Sequence, residues 1–287
     1  MPIPLLVAIS ATPAPAPPPP PRPLVVGHRG ARARFPENTI PAVRHALESG
    51  ADAVEVDVRA TADDVLVLFH DATLPPDRCR TFDGRPAPAG FAVRALSWET
   101  LRTFDCGALP DPRFPAQRAV PGTPPPSLDE LLETIAALRP GGSAPVLFLE
   151  LKRDASPALS PAREPYARLL VDALEKRGFA ARTVVLSFDH ALLRAVRALA
   201  PSLVTMPLVD RADDLAALAR REEAAWIGPR HTLLTPEAVA AARAAGARVF
   251  AWTANDAAEQ DRLARMGVDA IGTDDPAALV AGQRARR

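Results

Sequence analysis

In residues 53–58, AVEVDV, two acidic residues alternate with valines. Side chains of a β-strand point alternately to its two faces, so Glu55 and Asp57 share one face and the valines occupy the other. Valine also favours strands. The stretch therefore predicts a buried strand that carries two neighbouring carboxylates on one face.

These two carboxylates need a positive partner. Like charges on one face of an apolar strand repel each other, and each is costly to bury alone. A divalent cation that prefers oxygen ligands is the simplest partner. A structural row of ion pairs with arginines such as Arg59 is the alternative.

Short apolar runs like this one recur and alternate with helical stretches. The predicted strands are Leu24–Gly27, Ala53–Val58, Val146–Leu151, Val184–Phe188, Leu203–Val209, Ala225–Ile227, Val249–Trp252 and Ala270–Gly272. The predicted helices are Pro36–Ser49, Ser127–Leu138, Pro165–Arg177, Ala191–Leu199, Asp214–Arg221, Pro236–Ala245 and Ala257–Met266. This alternation predicts an α/β fold, a closed parallel (β/α)8 TIM barrel. A doubly wound open sheet is the alternative, which the lack of a glycine-rich fingerprint after the first strand disfavours.

One further run, residues 65–70, interrupts the alternation. It follows the second strand after a turn of four residues, 61–64, which permits a hairpin and forbids a parallel crossover. Residues 71–124, rich in proline and arginine, then predict a small irregular insertion with one helix near residues 97–104. We expect the insertion to lie over the C-terminal mouth of the barrel, where barrel enzymes carry their active sites.

Titratable side chains collect at the ends of the first three predicted barrel strands and of the hairpin. They are His28, Arg29, Glu55, Asp57, His70, Glu150 and Lys152. Three carboxylates suit a hard cation such as Ca²⁺ or Mg²⁺. Two histidines can divide the proton transfers of an ester cleavage. The positively charged side chains of Arg29 and Lys152 can neutralise charge on the phosphorus centre. The set indicates phosphate ester hydrolysis, and it leaves open which histidine is the acid and which the base.

A series of short motifs runs in order from about residue 25 to residue 280. The motifs are GHRG at 27–30, PENT at 36–39, VEVDV at 54–58, HD at 70–71, ELK at 150–152, SFD at 187–189, WT at 252–253 and GTDDP at 272–276. Each motif alone is weak, but the ordered set is specific. It resembles the glycerophosphodiester phosphodiesterases, and it covers nearly the whole predicted domain.

The resemblance implies a phospholipase-C-like phosphodiesterase barrel that hydrolyses glycerophosphodiesters to glycerol 3-phosphate and an alcohol. It implies one divalent cation, Ca²⁺ or Mg²⁺, held by Glu55, Asp57 and Glu150. It also implies that His28 and His70 are the catalytic acid and base. A route in which a hydroxyl of the substrate attacks first, through a cyclic phosphate, is implied as well.

The same resemblance implies three substrate-binding residues. Arg29 corresponds to the phosphate-binding arginine, Lys152 to an active-site lysine, and Trp252 to a residue that lines the glycerol end of the substrate. On the residues alone, Trp252 is as consistent with the apolar core as with the substrate. Mutual neutralisation of Glu150 and Lys152 as a buried pair is the less favoured alternative, and it would still place both residues in the site.

Two other functions remain open. A related barrel that acts on lysophospholipids or phospholipids would need an exposed apolar or basic rim, and the aromatic residues of the insertion are scattered. A non-catalytic barrel that binds phosphodiesters is the second, and the presence of both histidines and all three acids disfavours it.

Several other polar residues receive structural roles. Glu37 is expected in the first turn of the helix that follows it, where acids are favoured. Asp274 and Asp275 are expected to close the last barrel turn. His190 is expected to cap a helix, and no partner is expected for His231.

Composition limits the partners. Lys+Arg and Asp+Glu each total 34, so the chain lacks the basic excess typical of nucleic-acid binding. No apolar segment is long enough to span a bilayer. A small-molecule substrate is therefore the expected partner, and the oligomeric state is open.

Residues 1–23 differ from the rest by their apolar start and proline tract. They predict either a disordered polyproline II leader or a truncated signal peptide, before a catalytic domain over residues 24–287. A periplasmic or secreted location and a cytoplasmic one are equally compatible. Cys79 and Cys106 lie in the insertion, and we expect a disulfide between them if the protein is exported.

Overall fold

The computed structural model describes residues 22–141 and 146–286, so most of the predicted leader lies outside the described residues. The strands are β1 Leu24–His28, β2 Ala53–Ala60, β3 Leu66–Leu68, β4 Arg80–Thr81, β5 Phe104–Asp105, β6 Leu147–Leu151, β7 Thr183–Ser187, β8 Val204–Val209, β9 Trp226–Pro229, β10 Arg248–Ala251 and β11 Ala270–Thr273. The α-helices are α1 Ile40–Glu48, α2 Trp98–Leu101, α3 Leu128–Leu138, α4 Arg163–Lys176, α5 His190–Leu199, α6 Leu215–Arg221, α7 Pro236–Ala244, α8 Ala257–Met266 and α9 Pro276–Ala285.

The parallel strands form a closed ring. Strand β1 pairs in parallel with both β2 and β11, and the ring continues from β2 through β6, β7, β8, β9 and β10 to β11. The predicted (β/α)8 barrel is therefore confirmed, and the open doubly wound sheet is excluded.

Strand β2 shows the alternation that the sequence predicts. All eight of its residues are buried. Val54, Val56 and Val58 pack in the large core between the strands and the helices, whereas Ala53 packs with the side chains inside the barrel. Each such buried valine stabilises the fold by roughly 1.5–3 kcal/mol. Because the period is two, Glu55 and Asp57 point to the inside of the barrel.

Strand β3 returns antiparallel to β2, as the short turn predicts. Val58 pairs with Leu68, and the turn places Asp64 at a φ of +61°, a conformation that Asp tolerates better than most residues. The hairpin therefore carries His70, two residues beyond its end, back to the same side of the barrel as Asp57.

The insertion is more ordered than the sequence predicts. Strands β4 and β5 pair antiparallel, and α2 is a single turn, shorter than the expected helix at 97–104. A small core joins the insertion to the β3 arm; it consists of Val67, Phe69, Leu74, Cys79, Ala87, Val93, Leu101 and Phe104. Cys79 and Cys106 form a disulfide. Gln117 Nε2 donates to the carbonyl of Arg32 at 2.6 Å, so the insertion also contacts the loop after β1.

The helices differ from the prediction mainly at the start of α1 and by the presence of α9. Helix α1 begins at Ile40 rather than Pro36, because Thr39 is its N-cap and accepts a hydrogen bond from the backbone N–H of Ala42 at 3.3 Å. Helix α9 is not among the predicted helices, although Asp275 caps it through the backbone N–H of Ala278.

Two further features concern the ends of the chain and the membrane. Arg22, assigned to the leader from sequence, already contacts the barrel through Asp52 at 2.6 Å. Over the described ranges, no helix combines the length and apolarity needed to cross a bilayer.

Candidate active site

The parallel register brings the acidic residues of two strands together. Glu55 on β2 is level with His28 on β1, and Asp57 is level with Glu150 on β6. All three carboxylates are buried, and one oxygen of each lies within 4.8 Å of the others. The structure therefore places the three predicted cation ligands in one cluster.

Basic and amide groups surround this cluster. Lys152 Nζ lies 2.7 Å from a Glu150 oxygen and 3.2 Å from Asp57 Oδ1, and Arg29 Nε lies 3.2 Å from Asp57 Oδ2. Asn38 holds Asp57 at two points: its amide donates to Oδ2 at 2.8 Å and its carbonyl oxygen accepts from the Asp57 backbone at 3.0 Å. Asn38 belongs to the PENT motif, but nothing in its pattern predicts this contact.

The pKa values show that the cluster carries excess negative charge. Burial, and then the charges of Asp57 and Glu150, raise the pKa of Glu55 well above its usual range. Burial likewise raises the pKa of Glu150. Burial alone would raise the pKa of Asp57 too, but the charges of Lys152 and Arg29 outweigh it and hold that pKa well below its usual range. The positively charged side chains of Lys152 and Arg29 thus compensate only part of the negative charge of the three carboxylates.

The residues present fit a divalent cation. Among the described residues, Glu55 Oε1 and Asp57 Oδ1 are buried and accept no hydrogen bond, although Lys152 lies near the second. Buried acceptors are normally partnered. Two orphaned oxygens in a cluster of three carboxylates offer oxygen donors of the kind that a hard cation such as Ca²⁺ or Mg²⁺ prefers.

The His28 imidazole is fixed by Asp274, at 2.7 Å between Nδ1 and Oδ1. Asn255 Nδ2 donates to the other Asp274 oxygen at 2.7 Å, and Arg32 Nε lies 2.8 Å from the first. His28 Nε2 then faces the acidic cluster, 3.9 Å from Glu55 Oε2. Burial lowers the pKa of His28 despite the bond to Asp274, so the neutral imidazole is favoured.

Asp274 was expected only to close the last turn, and this expectation is incomplete. It follows β11, and β11 is far from β1 in sequence but adjacent to it in the closed barrel. The signal was present in the predicted topology, since closure places the end of the last strand beside the end of the first.

His70 is oriented in a similar way. Its Nδ1 lies 2.7 Å from Asp71 Oδ1, and this hydrogen bond, assisted by Arg78, lowers the pKa of Asp71 to about 2. Arg59, considered as a partner for the strand acids, donates instead to the His70 carbonyl at 2.9 Å and to Asp154 at 2.7 Å.

The expected role of Glu37 is wrong. Because Thr39 caps α1, Glu37 lies in the turn before the helix and not in its first turn. Its carboxylate accepts from Arg29 Nη1 at 2.9 and 3.0 Å, from Arg32 at 3.3 Å and from Arg78 at 2.8 Å. Glu37 therefore positions the guanidinium of Arg29.

A cavity of about 190 Å³ opens beside the acidic cluster. Its lining residues are His28, Arg29, Glu55, His70, Glu150, Lys152, Leu186, Phe188, Leu208, Arg230, Phe250 and Trp252. All the predicted site residues except Asp57 line it, and Asp57 contacts Lys152 at its edge. Trp252 lines the cavity and also packs against the barrel interior, so its position is compatible with either expected role.

His231 and His190 make hydrogen bonds away from the acidic cluster. His231, which follows β9, does have a partner, contrary to expectation: its Nδ1 lies 2.6 Å from Oε1 of Glu259 on α8. His190 does not cap α5; Asp189 does, and His190 Nε2 lies 3.0 Å from the Leu208 carbonyl.

Fold and site together define a (β/α)8-barrel enzyme with a buried acidic cluster and two oriented histidines at its mouth. The chain matches the glycerophosphoryl diester phosphodiesterase family over residues 28–278, and it belongs to that family. It is therefore a phosphoric diester hydrolase, and the alternative of a non-catalytic barrel is set aside.

Similar proteins agree with this assignment. A glycerophosphodiester phosphodiesterase of Caldanaerobacter subterraneus is 32% identical over 259 residues, which cover 90% of this chain and 96% of that protein. The crystal structure of a candidate glycerophosphoryl diester phosphodiesterase from Silicibacter pomeroyi is 33% identical, with a TM-score of 0.86 over 94% of this chain and 96% of that one. A phosphodiesterase from Oleispira antarctica, solved with its product sn-glycerol-3-phosphate, shares the fold at 23% identity and a TM-score of 0.74, over 92% of this chain and 97% of that one.

Proposed function

We propose that this enzyme hydrolyses glycerophosphodiesters to glycerol 3-phosphate and an alcohol, and that it requires one divalent cation. The observation that carries the proposal is the cluster of Glu55, Asp57 and Glu150, whose two orphaned oxygens lie beside a cavity lined by two histidines. Membership of the family supports the substrate class.

The three carboxylates are the proposed ligands of the cation. Held there, Ca²⁺ or Mg²⁺ would supply positive charge that offsets the negative charge of the phosphate oxygens. Arg29 and Lys152, which line the same cavity, hold further phosphate oxygens. Glu37 and Asp57 fix the guanidinium of Arg29 from two sides, so its orientation is set before the substrate enters.

The two histidines carry the protons. Each has Nδ1 bound to a carboxylate, His28 to Asp274 and His70 to Asp71, which fixes the ring and leaves Nε2 for the substrate. One histidine removes the proton of the attacking hydroxyl, and the other protonates the leaving alkoxide. The Trp252 side of the cavity is apolar and suits the carbon chain of the glycerol unit.

The test is turnover of glycerophosphocholine, with glycerol 3-phosphate measured as product, before and after removal of metal by EDTA. We expect activity to disappear with chelation and to return with Ca²⁺ or Mg²⁺. Glu150→Gln should behave like the chelated enzyme, whereas Glu99→Gln, an exposed acid on α2, should behave like wild type. Full activity in excess EDTA would disprove the metal requirement, and absence of glycerol 3-phosphate would disprove the reaction.

One observation favours a second substrate class, the lysophospholipids. Phe188 lies at the rim of the cavity with 44% of its surface exposed, which could accommodate the start of an acyl chain. Turnover of lysophosphatidylcholine by wild type and by Phe188→Ser distinguishes the classes. If the enzyme acts on lysophospholipids, Phe188→Ser should lose turnover of lysophosphatidylcholine and keep turnover of glycerophosphocholine.

A further inference from the structure

Arg78, in the insertion, contacts two carboxylates that each hold an active-site side chain. Its Nη1 donates to Glu37 Oε1 at 2.8 Å, and its Nη2 donates to Asp71 Oδ2. Glu37 binds the guanidinium of Arg29, and Asp71 binds the imidazole of His70. A continuous chain of hydrogen bonds thus joins the loop after β1 to the loop after β3, with Arg78 at its centre.

The ion pairs of Arg78 are partly buried, so we expect them to stabilise the site more than exposed ion pairs would. Fully exposed ion pairs contribute little, because solvent screens them and two long side chains must be ordered. Here the exposed side-chain fractions are 21% for Arg78, 16% for Glu37 and 32% for Asp71. The planar guanidinium also presents two donors in a fixed geometry, so it can span two carboxylates, which an ammonium cannot do in the same way.

The disulfide fixes the backbone from which Arg78 extends. Cys79 is the next residue, is 1% exposed and is bonded to Cys106. The carbonyl of Pro75 accepts from the backbone N–H of both Arg78 at 3.1 Å and Cys79 at 2.8 Å. Phe69, which precedes His70, packs in the same small core as Cys79. Both cysteines, Glu37 and Asp71 line the same small cavity, of about 40 Å³.

We propose that Arg78 is a positioning residue, held in place by the Cys79–Cys106 disulfide, which keeps the His70 and Arg29 arms of the site in register. Opening the disulfide therefore lowers turnover although neither cysteine touches the substrate. This inference rests on the proposed function, because it assigns the effect to His70 and Arg29.

Loss of Arg78 has unequal effects on its two partners. Glu37 keeps Arg29 and Arg32, whereas Asp71 keeps only His70 among its partners in the described part of the chain. Orientation of His70 should therefore suffer more than that of Arg29. We expect kcat to fall about 10- to 150-fold, the range for loss of a hydrogen bond to a charged group, with KM changed less than about twofold.

The experiment measures kcat and KM of Arg78→Ala and Arg78→Lys with glycerophosphocholine. Arg85→Ala is the matched control, since Arg85 lies in the same insertion, pairs with Asp83 at 2.8 Å and is exposed. We expect Arg78→Lys to recover part of the loss. Guanidinium chloride, far below unfolding concentrations, should raise the turnover of Arg78→Ala and not that of Arg85→Ala.

The disulfide is tested by the double variant Cys79→Ser/Cys106→Ser and by reduction of the wild-type enzyme. Both should lower kcat by a factor similar to that of Arg78→Ala. Adding Arg78→Ala to the cysteine variant should lower kcat little further, because both changes disrupt the same contacts.

Three results would overturn the inference: wild-type kcat in Arg78→Ala, a loss in Arg78→Ala that guanidinium does not restore, or fully additive losses with the cysteine variant. Inactive wild-type protein would refute the proposed function instead. The two failures are therefore distinguishable.

Discussion

Glu55→Gln should raise the stability of the cation-free protein. It should also remove most of the stabilisation that the cation gives to the wild-type protein. Oxygens of Glu55, Asp57 and Glu150 lie within 4.8 Å of one another. At that distance, and at an effective dielectric constant of about 20, two unit charges repel by about 3.5 kcal/mol. Glu55 has two such neighbours, and its attraction to Arg29 offsets part of the repulsion. We expect a net gain of about 1–3 kcal/mol in the free energy of unfolding.

The sign of the pH dependence follows from the raised pKa of Glu55. The folded state keeps this proton to a higher pH than the unfolded state, whose carboxyl titrates near pH 4.3, at about the usual value for Glu. Wild-type stability therefore falls as the pH rises from the unfolded value through the raised folded value. The gain from Glu55→Gln should be absent below this window and complete above it.

Thermal melting measures both effects. For a domain of this size a gain of 1–3 kcal/mol corresponds to a Tm increase of roughly 2–12 °C in EDTA. In wild type, a cation at about 100 times its Kd should add about 2.7 kcal/mol. Glu55→Gln should lose most of this second shift, and Glu99→Gln should keep it. A lower Tm of Glu55→Gln than of wild type in EDTA, or an unchanged response to the cation, would refute the electrostatic account of the cluster.

Three further predictions concern the cavity. His28→Ala and His70→Ala should each lower kcat by about 10²- to 10⁴-fold with an unchanged melting curve. The control His45→Ala, on α1, should retain wild-type kcat. Near-normal turnover of the His28 or the His70 variant would remove the substituted histidine from the mechanism. Asp274→Asn should lower kcat by about 10- to 100-fold with little change in KM, because the ring of His28 loses its charged partner; a change in KM alone would contradict a positioning role. Trp252→Ala should raise KM about tenfold; a lower Tm with unchanged KM would assign Trp252 to the core alone.

The barrel could be predicted from sequence because short apolar runs alternate regularly with helical stretches. The period of two in residues 53–58 fixes which side chains enter the barrel, and the repeated alternation with helices fixes the topology. The same reasoning located the acids and histidines that the cavity brings together, since they lie on the predicted strands or directly after them.

The parts that sequence did not predict depend on contacts between distant segments. Glu37 was assigned to a helix, because a carboxylate after a proline is common there. Of its arginine partners, Arg29 and Arg32 lie in the same loop as Glu37, and Arg78 comes from the insertion. Asp274 required closure of the ring to be considered together with the position of His28. The core of the insertion escaped notice because its apolar residues follow no period.

The bond between His28 and Asp274 joins residues 246 positions apart, the start and the end of the barrel. A nascent chain that still lacks its last strand therefore cannot orient His28, however well its earlier strands have associated. We therefore expect His28 to be oriented only after Asp274 has been synthesised, so that a translation product that stops before β11 carries Glu55, Asp57 and Glu150 but no oriented His28.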